Sequence, residues 1–101
     1  MGVIKGMEEL VELNPNYVLF RTVLANTYKE FGKLDIAEKE FKKSVKQDPT
    51  SEISSLGLFH CLWRQDKQVE ALDEMKRFMS ISDSEDYRSI LEEIKKTPIK
   101  D

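Results

Sequence analysis

A chain of 101 residues with 16 basic and 19 acidic side chains carries a formal net charge of -3, so it lacks the basic excess that a phosphate-binding surface needs and does not read as a nucleic-acid-binding domain. Hydrophobic residues at 40% and charged residues at 35% describe one globular domain rather than a disordered segment, and only 4 glycines and 3 prolines favour long helices over a turn-rich β fold. The single cysteine, Cys61, has no internal disulfide partner, no apolar run nears the roughly 20 residues that span a bilayer, and the opening Met1-Gly2-Val3-Ile4-Lys5 soon turns acidic and is not a secretion signal, so the expected setting is cytoplasmic.

Residues 2–13 carry Val3, Met7, Leu10 and Val11 at the spacing of one helix face. Asn14-Pro15-Asn16 stops that helix, because proline disfavours a helical conformation in the residue before it. A second helix is expected from Tyr17 to Phe31, with Phe20, Val23, Leu24, Tyr28 and Phe31 as its apolar set and Gly32 as its terminator. A third runs from Leu34 to Lys46, with Ala37, Phe41 and Val45 on one side, until Asp48-Pro49-Thr50 breaks it. Ser51 to Arg64 is a fourth, Asp66 opens a short turn, and Val69 to Ile81 is a fifth. Ser82-Asp83-Ser84 offers N-cap oxygens to a last helix from Glu85 to Lys96, and Thr97-Pro98-Ile99-Lys100-Asp101 reads as a frayed tail. No stretch alternates with period two for long enough to make a strand.

The chain also repeats itself. Pro15 and Pro49, Leu24 and Leu58, and Ala37 and Ala71 are each 34 residues apart. Large apolar residues keep the same step at Met7, Phe41 and Met75, and at Val11, Val45 and Met79, while Tyr28 pairs with Leu62. Two helices in a period of 34 residues resemble the tetratricopeptide-repeat family, whose pattern is W-x2-L-G-x2-Y, then A-x3-F, then P. Residues 18–51 match best, through Leu24-Ala25, Tyr28, Ala37-x3-Phe41 and Pro49, with Arg21 where the family often has tryptophan and Ala25 in place of glycine. Residues 52–85 look like a degenerate repeat that keeps Leu58, Ala71 and Met75 but has Phe59 at the small position and Asp83 at the proline. Residues 1–15 resemble only the second helix of a repeat, and residues 86–96 a capping helix.

The resemblance implies an all-α fold: a right-handed superhelical stack of antiparallel helix pairs, a TPR-like α-solenoid with a C-terminal capping helix, forming one domain over residues 1–96 with 97–101 as tail. Ala25, Ala37 and Ser44 are then the points of close helix approach, and Leu24, Tyr28 and Phe41 fill the space around them. Phe59 and Phe78 at the corresponding small positions imply looser or altered packing in the second repeat, as in a terminal repeat, with Tyr87, Ile90, Leu91 and Ile94 covering its open end.

In this family the first helix of each repeat lines a concave face. Carried over, Leu19, Thr22, Asn26 and Lys29, followed by Ile53, Leu56, His60, Trp63 and Arg64, are expected to form a partner-binding groove. Trp63 and Arg64 combine apolar area with directional hydrogen bonds, the qualities of a binding hot spot, although packing of Trp63 against the last helix competes with that role. A two-carboxylate clamp that some members use on chaperone tails needs lysine, asparagine and arginine at set positions. Asn26 fits, but Thr22, Gly57, Tyr87 and Leu91 do not, so that use is rejected.

Catalysis finds little support. His60 and Cys61 are adjacent, and neighbours on a helix point about 100° apart. A second histidine is lacking, and Gly2, Gly6, Gly32 and Gly57 form no phosphate-cradling loop, so no catalytic residue, metal or cofactor is expected. The charge runs Glu38, Lys39, Glu40, Lys42, Lys43 and Glu92, Glu93, Lys95, Lys96 read as solvated helix faces. The expected function is a non-catalytic module that binds a protein or peptide segment in the groove, with neither nucleic acid nor membrane as partner. Two alternatives stand beside it. One is a cognate immunity protein or chaperone that neutralises a dedicated partner through an acidic edge at Glu8, Glu9 and Glu12. The other is a self-assembling scaffold, a homodimer through the N-terminal helix near Ile4, Met7 and Val11.

Overall fold

Local signals place the helix ends. The structure, a computed structural model, describes residues 2–96, so the expected tail at 97–101 lies outside the described residues. The helices are α1 (Gly2–Leu13), α2 (Val18–Glu30), α3 (Leu34–Gln47), α4 (Glu52–Arg64), α5 (Gln68–Met79) and α6 (Glu85–Lys96), within two residues of the expected bounds. No strand occurs among the described residues, and no helix there is long and apolar enough to cross a membrane. Ser51 Oγ caps α4 by accepting from the Ser54 N–H, and Ser84 Oγ accepts from the Tyr87 N–H at 3.1 Å at the start of α6.

The 34-residue period is visible in the backbone. After α2 the chain reverses at Gly32 with φ +78°, and after α4 it does so at Asp66 with φ +62°. The same hydrogen bond closes each reversal, from Lys33 N–H to the Tyr28 carbonyl and from Lys67 N–H to the Leu62 carbonyl, both at 2.9 Å. Glycine enters this left-handed region without penalty, and aspartate is among the few other residues that tolerate it.

Each helix from α1 to α5 packs on the next, and α2 also packs on α4. Small side chains make this possible: Ala25, Ala37, Ser44, Ser54, Ser55 and Ala71 are completely buried. Ala37 and Ala71 thus occupy matching tight positions. A cross-helix pair repeats as well, since Arg21 reaches Glu40 at 3.0 Å and Ser55 reaches Glu74 at 2.7 Å, with the same separation along the chain. Gly57 lets α4 approach α3, because a Cβ there would overlap the buried Phe41 ring.

Three expectations need correction. The flank of α1 expected from the sequence to be open is closed instead: Ile4 and Val11 are buried in the core and Met7 packs against it. Of the two outcomes expected at Phe59 and Phe78, packing over residues 52–85 is altered and not looser: both rings are buried, and Tyr87 of α6 fills the space between them, with ring centroids 5.6 Å from Phe59 and 5.9 Å from Phe78. Ile90, Leu91 and Ile94 pack on the same core. Nor is the charge run on α3 a solvated face throughout. Glu38 is buried and accepts from Lys67 at 3.0 Å and Gln65 at 2.9 Å across the α3–α4 junction, and Glu40 holds Arg21 of α2. Lys39, Lys42 and Lys43 do face solvent, as do Glu92, Glu93, Lys95 and Lys96 on α6.

Candidate partner-binding face

Helices α2 and α4 lie side by side, joined by a buried contact between Thr22 Oγ1 and Ser54 Oγ at 3.0 Å. Their outward residues form the face on which the sequence places a groove. Leu19 is 49% exposed and Ile53 66%, values far above those of a core aliphatic side chain. Asn26, His60 and Arg64 are exposed, and Lys29, Leu56 and Trp63 are half-buried. Thr22 is the exception. It is buried in the α2–α4 contact and also donates to the Val18 carbonyl at 2.9 Å, so it joins the two helices and lines no surface.

Val23, assigned from the sequence to the inner apolar set of α2, belongs instead to the open face, at 41% exposed. It lies four residues after Leu19 and three before Asn26, spacings that place all three on one side of the helix. That spacing was the available signal, and proximity to the buried Leu24 obscured it. Its counterpart one period later, Gly57, is buried beneath Phe41 and contributes no side chain.

Electrostatically the face is basic at one end. Lys29 and Arg64 have no ion-pair partner among the described residues, and the charges of both act on His60. Partial desolvation first, and then these two cations, hold the His60 pKa below its ordinary value, so the imidazole is neutral near pH 7. The opposite end, around Leu19, Val23 and Ile53, is aliphatic. Trp63 rests on Phe59 of its own helix, the rings stacked at 5.5 Å and 20°, which fixes one side of the indole.

The neighbouring Cys61 is fully buried, and burial pushes its thiol up to about 11. A thiol in that state supplies no thiolate nucleophile at neutral pH. Among the described residues no three His, Cys, Asp or Glu side chains converge as metal ligands would. Glu8, Glu9 and Glu12 on the acidic edge of α1 are all exposed, and Glu8 also accepts from the Tyr28 hydroxyl at 2.8 Å, a bond that raises the phenol to about 12. No protein-family model matches the chain, and no curated protein matches it.

Proposed function

We propose that the chain is a tetratricopeptide-like stack whose α2–α4 face binds an extended segment of another protein. The recurrence at 34 residues of the left-handed turn, the buried alanine and the cross-helix pair supports the repeat reading. So does the elongated outline, 43 × 27 × 17 Å with a radius of gyration of 14.1 Å, against about 13 Å for a compact domain of 100 residues. The observation that carries the binding role is the pairing of exposed aliphatic side chains with unpaired cations on one face. Other lysines of the chain, Lys33 and Lys46 among them, also lack an ion pair among the described residues, and what sets Lys29 and Arg64 apart is their place beside His60 at one end of a face whose other end is aliphatic.

The fitting partner presents apolar side chains to Leu19, Val23, Ile53 and Leu56 and a carboxylate to Lys29 and Arg64. Apolar burial supplies affinity, and the charges set orientation and partner choice. A fluorescently labelled library of short peptides, half of them combining aliphatic and acidic residues, tests this by anisotropy. Wild-type protein should select the aliphatic–acidic half, and binding should weaken with salt. Ile53→Glu should abolish that selection, and Lys29→Ala with Arg64→Ala should erase the acidic preference alone. Equal binding of all peptides by wild type and variants would refute the assignment.

A further inference from the structure

His60 stands at the basic end of the α2–α4 face, and the fold brings a cation to it from each helix. Arg64 follows His60 by four residues on α4, so the two side chains share one side of that helix. Lys29 comes from α2. Helix α3 lies antiparallel to both neighbours, with Gln47 near its end beside Arg21 near the start of α2, and Glu38 near its start beside Gln65 just past the end of α4. Helices α2 and α4 therefore run in the same direction, and the buried Thr22–Ser54 contact sets their register. Two turns further along each helix, Lys29 is level with Cys61, the neighbour of His60. The charges of Lys29 and Arg64 accordingly reach His60 and Cys61 alike.

The other charged groups around α4 are engaged elsewhere. Helices α3 and α5 bring two carboxylates to it, of which Glu38 is held by Lys42, Lys67 and Gln65, and Glu74 by Arg77 and Ser55. Helix α6 contributes the apolar Ile90, Leu91 and Ile94 to the shared core, its Arg88 pairs with Asp83, and its Glu92, Glu93, Lys95 and Lys96 face solvent. On α2, Glu30 follows Lys29 directly and so points about 100° away from it. The imidazole stands edge-on to Phe59, with ring centroids 5.4 Å apart at 82°, which anchors it while the residue stays exposed. Of the three groups gathered here, the imidazole alone changes charge near neutrality. A proton on it would stand beside two cations. A carboxylate docked among them removes that repulsion, and it accepts a stronger hydrogen bond from a charged imidazole than from a neutral one.

Resting on the reading of the α2–α4 face as a binding surface, we propose that Lys29, His60 and Arg64 form one subsite for an aspartate or glutamate side chain of the bound segment, and that its docking brings a proton from solvent onto His60, so that binding tightens as pH falls. The sign follows from the neighbours. In the free protein, partial burial and then the two cations hold the His60 pKa below 6.5. The docked negative charge raises it. A group whose pKa is higher in the complex than in the free protein adds affinity that is complete below the free value and lost as pH rises through the bound one. The partner's carboxylate stays ionised down to about pH 5, so the change falls between there and neutrality.

The probe is a labelled peptide of leucine and glutamate with acetylated and amidated ends, whose carboxylates are all side chains. Anisotropy titrations at constant ionic strength, from about pH 7.5 down to about pH 5.5, should show the dissociation constant falling roughly threefold to tenfold, because a pKa rise of one unit is worth at most about tenfold. Far-ultraviolet circular dichroism should stay unchanged over that range, since the buried Glu38 titrates only at about 2. His60→Gln should flatten the profile. His60 is the only histidine of the chain, so its imidazole proton signals are read by nuclear magnetic resonance without assignment. Their titration should move to higher pH on saturation with the peptide. With no peptide present, Lys29→Ala combined with Arg64→Ala should move it the same way, a result that is independent of any ligand. Equal affinity at both ends of the pH range would overturn the proton coupling and leave the binding face standing, whereas a peptide bound at neither end would overturn both. A pH profile that survives His60→Gln would place the proton on another group and overturn the proposal equally. So would an imidazole titration unmoved by loss of the two cations.

Discussion

At Glu38 two effects oppose each other. Burial alone would raise its pKa, but hydrogen bonds from Lys42, Lys67 and Gln65 outweigh burial and hold it at about 2, against an ordinary 4.5. The folded value lies below the unfolded one, so the stabilisation is complete above pH 4.5 and is lost as pH falls towards about 2. Glu38→Gln should cost about 1–2 kcal/mol at neutral pH, since water screens the exposed Lys42 and Lys67, and should flatten the acid limb of a urea-denaturation series. Gly57→Ala gains helix propensity but drives a methyl into the Phe41 ring, which is buried and has nowhere to move. Overpacking wins, and a loss of roughly 1–3 kcal/mol is expected in the same assay. Ser44 points the other way. Its Oγ is buried with no hydrogen-bond partner, so Ser44→Ala should raise stability by about 0.5–1 kcal/mol.

Between elements, a polar relay adds to the apolar packing that attaches α6. The Tyr87 hydroxyl donates to Ser55 Oγ at 2.7 Å, and Ser55 donates to Glu74 at 2.7 Å. Arg77 grips both oxygens of Glu74, at 2.8 and 2.7 Å, and reaches the Pro49 carbonyl at 3.0 Å. A contact between Ser84 and Glu52 adds a second tie between α6 and α4. Ser55→Ala would strand a buried phenol and remove one partner of a buried carboxylate. It should cost about 2–3 kcal/mol, with amide exchange accelerating first in α6. The sequence pointed to Ser84 as a cap and to the apolar side of α6, because both are local features. It did not show the relay, whose members come from α4, α5 and α6 and share no spacing on any one helix.

At the scale of the molecule, α6 closes the core at one end and nothing described closes the outer face of α1 at the other. Phe59 and Phe78 are covered by Tyr87, so a chain ending at residue 84 should expose them, bind a hydrophobic dye and melt at a lower temperature than the full chain. A truncation that melted unchanged would show that α6 contributes little to that core. What the sequence foretold about the α2–α4 face was its exposure: Leu19, Asn26, Ile53, His60 and Arg64 reach the surface, and Lys29, Leu56 and Trp63 reach it in part. Thr22 and Val23 were exchanged, one buried and the other open, although both sit near the edge of the apolar stripe of α2.

The sequence by itself determined the helices and their order, because proline, glycine, capping serines and apolar spacing act within a few residues and need no partner. It also determined which positions are equivalent, since a period of 34 residues is a property of the string. Tertiary structure alone decided which equivalents share an environment. Leu10 and Ser44 are one period apart, yet Leu10 is 40% exposed and Ser44 fully buried, because α2 covers α3 and no described helix covers that side of α1. Burial belongs to a pair of helices, and the pairing exists only once the chain has folded.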